Sequence, residues 1–104
     1  MEIKGELNPA RGKNITISSG QTFFVRVMPV DLAAHEDLYK SYCRSISDEV
    51  MNKPRHESYF ELGKTAMKIL EYSGNEFQAE KVALDISDVR EIFRVFNGEY
   101  LMGE

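Results

Sequence analysis

Asn14-Ile15-Thr16-Ile17-Ser18-Ser19-Gly20-Gln21-Thr22-Phe23-Phe24-Val25-Arg26-Val27-Met28 is the stretch that decides how this chain folds. Ile15 and Ile17 alternate with Asn14, Thr16 and Ser18, the period of two that puts one face of a strand inside and the other outside. Phe23, Val25 and Val27 repeat that pattern, with Arg26 on the opposite face. β-Branched and aromatic side chains suit a half-buried sheet. Between the two runs, Gly20 supplies the φ freedom that a tight connection needs. The stretch is therefore a β-hairpin over 14–28, and Pro29, which has no N–H to donate, is expected to stop its ladder.

Downstream the apolar spacing changes to three and four residues, the helical period. Asp31 is placed to cap a helix over 31–51. Leu32, His35, Tyr39, Tyr42, Ile46 and Val50 form its expected buried stripe, with Lys40, Arg44 and Asp48 turned away. A second helix is expected over 58–73. Ser58 and Glu61 have the S-x-x-E spacing of a capping box, Leu62, Ala66, Ile69 and Leu70 mark the buried face, and Gly74-Asn75 is the stop. A third is expected over 87–97, with Val89, Ile92, Phe93 and Phe96 inside and Gly98 as its stop. Asp85 and Asp88 favour the positive end of its dipole. Residues 76–84 are ambiguous, with Phe77, Val82 and Leu84 as anchors. Upstream of the hairpin, residues 1–13 form a polar arm or an edge strand, and residues 98–104 form a partly apolar tail. The fold expected is α+β and mainly α-helical, a single domain over 1–104 with an N-terminal β-hairpin packed on three main helices.

Composition narrows the function. At 42% hydrophobic and 29% charged the chain is that of a folded domain, not a disordered one. Thirteen Lys and Arg against 17 Asp and Glu leave a net charge of −4, which argues against a nucleic-acid partner. Cys43 is the only cysteine, so no internal disulfide forms, and a reducing cytoplasm suits the chain. The first residues lack the apolar core of a signal peptide, and no run approaches the roughly 20 apolar residues of a membrane span. Asn14-Ile15-Thr16 is a glycosylation sequon that a chain without a leader never presents to the enzyme.

Motifs of catalysis fail at named positions. Gly63-Lys64-Thr65 has the end of a P-loop, but Ser58 stands where the first glycine belongs and no strand precedes it. Gly63 is better explained as admitting a close neighbour to a helix. His35-Glu36 and His56-Glu57 begin a zinc-protease motif whose second histidine falls at Tyr39 or Phe60. A zinc site from His35, Cys43 and His56 is the remaining metal reading. Cys43 has no base nearby in sequence and is expected to act as a small, at least half-buried apolar residue. No catalytic residue, metal or cofactor is assigned. The surplus lies elsewhere: Leu38, Tyr59, Phe60 and Met67 fall off the main stripes, and Tyr100, Leu101 and Met102 lie beyond the last helix. These are the candidate protein-binding residues, since contiguous exposed apolar side chains mark interfaces. The competing reading is that they widen a small core.

The order of parts carries a resemblance. A polar arm leads to a hairpin ending Phe24-Val25-Arg26-Val27-Met28. Then come a helix that opens Asp31-Leu32-Ala33-Ala34-His35-Glu36-Asp37-Leu38 and a last helix Val89-Arg90-Glu91-Ile92-Phe93-Arg94-Val95-Phe96-Asn97-Gly98. Over most of residues 14–100 this resembles the tail assembly chaperones of long-tailed bacteriophages. The resemblance implies a job without chemistry in the host cytoplasm. Such chaperones bind the tape-measure protein, keep its apolar helical stretches soluble during tail morphogenesis, and associate as oligomers. Under that reading a chain ending at Gly103-Glu104 corresponds either to the short product of a family that often makes a frameshifted longer one or to a member without the extension. Met28, Met51, Met67 and Met102 would suit an adaptable binding surface. Two other classes remain: a regulatory or antitoxin-like protein that blocks one folded partner, and a small metal-binding enzyme.

Overall fold

The computed structural model describes residues 11–28 and 32–98, with the side chains of Leu32, Asp48 and Val50 outside the description. The arm over 1–10, the stop at Pro29, the cap at Asp31 and the tail residues Tyr100, Leu101 and Met102 lie outside the described residues. The fold is α+β and mainly helical: an antiparallel hairpin packed on three main helices.

Strand β1 (Gly12–Thr16) pairs with β2 (Thr22–Arg26) in the register Ile15 opposite Phe23 and Lys13 opposite Val25. That register puts Ile15, Phe23 and Val25 on one face, and all three are buried together with Ile17. The turn closes with Gly20 N–H donating to the Ile17 carbonyl at 2.9 Å, at φ +98°. β1 begins two residues earlier than expected. Gly12 makes this possible, because a Cβ there would sit 2.1 Å from the Val25 carbonyl oxygen and 2.8 Å from the Phe24 ring.

The first helical region is not one helix over 31–51. It comprises a 3-10 turn at Leu32–His35, helix α1 (Glu36–Ser45) and a short α2 (Asp48–Met51). The break has a local cause. Ser45 Oγ donates to the Tyr42 carbonyl at 2.8 Å and Ser47 Oγ to the Arg44 carbonyl at 2.6 Å. The Tyr42 carbonyl also accepts the Ile46 N–H at 3.3 Å, and the ladder then tightens, the Ser47 N–H donating to the Arg44 carbonyl only three residues back at 3.1 Å. The buried face is also rotated from the expected stripe. Leu38, Tyr42 and Ser45 are inside, while Tyr39 and Ile46 are exposed. Leu38 is thus a core residue and not part of a surplus patch, because packing against the other helices turns the Leu38–Tyr42–Ser45 face inward.

Helix α3 (Arg55–Tyr72) starts one turn earlier than the Ser58 cap implied. The Pro54 carbonyl already accepts the Ser58 N–H at 3.0 Å, and Ser58 Oγ donates back to the Arg55 carbonyl at 3.0 Å. Proline's fixed φ suits the residue that opens a helix, so Ser58 becomes an interior, buried position. Ala66, Ile69 and Leu70 are fully buried, as read from the sequence. Gly63 is inside this helix, but nothing lies within 4 Å of the Cβ it lacks, so it admits no close neighbour. A 3-10 turn at Ala79–Lys81 leads to helix α4 (Ile86–Phe96). The capping box belongs here: Asp85 accepts the Asp88 N–H and Asp88 accepts the Asp85 N–H, each at 3.0 Å.

The core joins the hairpin face to α1, α3 and α4, with Phe96, Ile69, Leu70, Ile92, Val25 and Val95 wholly enclosed. Two polar joints fix the hairpin. At its turn, Ser18 N–H donates to Asp88 and Ser18 Oγ to Asp85 at 2.7 Å. Along the outer edge of β2, Asn75 accepts the Phe24 N–H at 3.0 Å and donates to the Phe24 carbonyl at 2.7 Å, as a neighbouring strand would. Ser73 Oγ accepts the Arg26 N–H at 2.8 Å. The C-terminal end of α3 therefore covers an edge that would otherwise be open to pairing.

Candidate functional site

Helix α4 presents two adjoining faces. Val89, Ile92, Val95 and Phe96 face the core. Ile86, Arg90, Phe93 and Asn97, at helical spacing on the adjoining face, line a groove of about 480 Å³. Val89 and Phe93 stand at the boundary and serve both. The opposite wall is the N-terminal part of α3, where Tyr59 and Leu62 point into the groove with Ser58 behind them. Ile46 at the α1–α2 break and Met51 at the end of α2 close one side, and Arg94 joins Arg90 at the rim.

Five large apolar side chains among the described residues are exposed: Tyr39, Ile46, Met51, Tyr59 and Phe60. Three of them, Ile46, Met51 and Tyr59, line this one groove. Scattered exposed apolar residues need no explanation, but a cluster along a concave surface is the pattern of a binding site. The walls are held from behind. The Tyr42 hydroxyl donates to Asn97 Oδ1, and the Tyr42 ring packs on Phe93 and Phe96 with centroids 5.3 and 5.1 Å away. Phe93 and Asn97 are thereby fixed before anything binds.

The charged lining is one-signed. Arg90 and Arg94 are its charged side chains, with no carboxylate among the lining residues. Arg94 grips Glu91 through two nitrogens, at 3.2 and 2.9 Å. The Arg94 hydrogen bonds hold the Glu91 carboxyl below its ordinary range against the opposing effect of burial, with smaller help from the Arg94 and Lys13 charges. Arg90 is exposed and has no ion-pair partner among the described residues.

The other residues singled out from sequence fall as follows. Tyr59 is in the groove. Phe60 is 64% exposed and borders a separate shallow depression beside Lys53, His56, Glu57 and Glu61, with the Lys64 ammonium 5.1 Å from its ring. Met67 is half-buried and packs on the core, so it is not free surface. Met51, noted from the sequence only as one of four methionines suited to an adaptable surface, lines the groove, whereas Ile46, Leu62, Ile86 and Phe93 carry no binding signal in the sequence. For Ile46 and Phe93 the reason is that each sits on a stripe that looked wholly internal.

The chemistry-bearing residues do not converge. Among the described residues no three His, Cys, Asp or Glu side chains are placed to share a metal ion, and His35, Cys43 and His56 form no such group. His35 packs edge-on against Tyr72 at 5.2 Å. Cys43 is exposed, not half-buried, and its hydrogen bond with the Tyr39 hydroxyl raises that phenol's pKa. Thr65 Oγ1 donates to the Ser41 carbonyl at 3.2 Å, which ties the P-loop-like Gly63-Lys64-Thr65 into helix packing. Among the described residues no helix is long and apolar enough to cross a membrane. No family model, curated protein or solved structure matches the chain.

Proposed function

We propose that this protein is a non-catalytic chaperone or assembly factor that holds an apolar helical stretch of a partner protein in the groove between α3 and α4. The observation that carries the reading is the clustering of Ile46, Met51 and Tyr59, all exposed, around one groove. An amphipathic helix laid into an apolar groove between helices is a recurrent mode of recognition. The resemblance to phage tail assembly chaperones supplies the setting. The partner would be a tape-measure protein, and several copies would line it in the host cytoplasm.

The test is a solubility assay. Apolar helical segments of a phage tape-measure protein are diluted from denaturant with and without the full-length protein, and the pellet is quantified by gel after centrifugation. The segments are expected to stay in the supernatant at near-stoichiometric protein, and light scattering of the protein alone should show concentration-dependent oligomers. Segments that sediment equally in both samples would overturn the reading. A strict one-to-one complex with a folded target, in place of these interactions, would favour the regulatory or antitoxin-like class.

A further inference from the structure

We infer that the helix accepted by the groove carries carboxylates along one flank of its apolar face, and that Arg90 is the residue that reads them. The inference rests on the reading of the groove as a helix-binding site and adds the chemistry of the occupant.

The argument begins with the charge balance. The chain holds 17 acidic and 13 basic residues, yet the groove is lined by two arginines and no acid. The nearest acids on α4 are committed elsewhere. Asp85 and Asp88 cap the helix and bond Ser18 of the hairpin turn, and Glu91 is held by Arg94. The groove rim thus presents positive charge that the fold has not neutralised at Arg90.

The two arginines differ in what they can do. The Arg94 guanidinium is fixed in a bidentate pair with Glu91, which sets its plane and leaves it a positioned part of the wall. Arg90 lies one turn earlier on the same stripe as Phe93 and Ile86. A partner helix whose apolar side chains meet Phe93, Tyr59 and Met51 would carry its flanking residues over this rim. A carboxylate there gains a charge-assisted, fork-shaped contact from arginine; a lysine there is repelled. Electrostatic complementarity of this kind chiefly selects among partners that bury similar apolar area.

The experiment uses the full-length protein and two synthetic helical peptides of about 18 residues, long enough to hold helix when bound. Both have the same leucine face; one is flanked by glutamate and the other by lysine. Fluorescence anisotropy measures each Kd at low and high salt. The acidic peptide is expected to bind about tenfold more tightly, with the gap narrowing as salt rises. Arg90→Glu should erase or invert the preference, while far-UV circular dichroism confirms an unchanged fold. Equal binding of both peptides overturns the inference and leaves the groove reading standing. Binding of neither overturns the groove reading itself. A dimer that excludes both peptides and dissociates on Arg90→Glu means that a second copy covers the groove, which also overturns the inference.

Discussion

Replacing Asn75 with alanine should loosen the hairpin from the rest of the molecule. The Asn75 side chain makes three hydrogen bonds: it accepts the Phe24 N–H at 3.0 Å and donates to the Phe24 carbonyl at 2.7 Å and to the Leu70 carbonyl at 3.0 Å. The first two are the bonds that another strand would supply to β2. Alanine leaves all three main-chain groups without that partner. A neutral hydrogen bond contributes a net of about 1 kcal/mol, and an unsatisfied buried group costs about 1–3 kcal/mol. Asn75 and Phe24 are half-buried, so water restores part of the loss. The expected cost is about 2–3 kcal/mol, against a total stability of about 5–15 kcal/mol for a domain of this size. At about 4–8 °C per kcal/mol, the midpoint of thermal unfolding should fall by roughly 10–15 °C. Thermal melts by far-UV circular dichroism measure it. Asn75→Asp, which keeps the acceptor but loses both donors beside two carbonyls, should cost at least as much. Asn52→Ala, at an exposed position in the α2–α3 connection, should cost less than about 0.5 kcal/mol. An Asn75→Ala protein within about 0.5 kcal/mol of the parent would refute the reasoning and show that apolar burial alone seats the hairpin.

Gly63→Ala should raise stability by about 0.5–1 kcal/mol, because Gly63 is interior to α3 and its absent Cβ points into open space; a loss in the same melts would mean that something packs there. Acid sensitivity should depend on Asp85. Hydroxyls of Ser87 and Ser18 and the Asp88 N–H hold its carboxyl well below the ordinary carboxylate range in the folded protein. The unfolded chain therefore takes the proton first, so this contribution is complete above about pH 5 and is lost as pH falls through and below the ordinary carboxylate pKa of about 4. Asp85→Asn, which keeps an N-cap acceptor but removes the titrating charge, should lower the melting midpoint at pH 7, leave it nearly unchanged near pH 2, and so flatten its fall between about pH 5 and pH 2; an unchanged acid slope would refute the assignment. Met51→Lys, at a position 58% exposed, should leave stability within about 0.5 kcal/mol yet abolish binding of the helical peptides; undiminished affinity would remove Met51 from the site.

Much of the fold is legible in the sequence because it rests on periodic burial. The alternation of Ile15, Ile17, Phe23 and Val25 and the helical spacing of Ala66, Ile69, Leu70, Val89, Ile92 and Phe96 each predict a residue that is buried here. Caps and phases were less legible. Ser58 with Glu61 and Asp85 with Asp88 both have the spacing of a capping box, and only the tertiary setting shows which one caps a helix. The phase of α1 is a contest between neighbouring positions, Leu38 against Tyr39, that a single helix cannot decide. Packing against α3 and α4 decides it. The groove was least legible, since it is built from residues such as Phe93 and Ile46 that a one-helix reading places inside.

The site and the failed helix prediction have one cause. A continuous helix through positions 46 and 47 would carry the inward stripe onward from Tyr42. Instead, the Arg44 carbonyl accepts both the Ser47 N–H at 3.1 Å and the Ser47 hydroxyl at 2.6 Å, the ladder tightens to a three-residue step, and α1 ends. The chain turns there, the Ser47 carbonyl starts α2 by accepting the Met51 N–H at 2.9 Å, and Ile46 and Met51 are left facing the α3–α4 wall across a gap. Each apolar side chain left exposed forgoes about 1.5–3 kcal/mol of possible burial. A domain of about 100 residues has little stability to spare. Natural sequences break local rules chiefly at sites where something else is gained. A serine-made break that leaves apolar side chains uncovered beside a rigid wall is what a protein would carry if the missing cover comes from a partner helix.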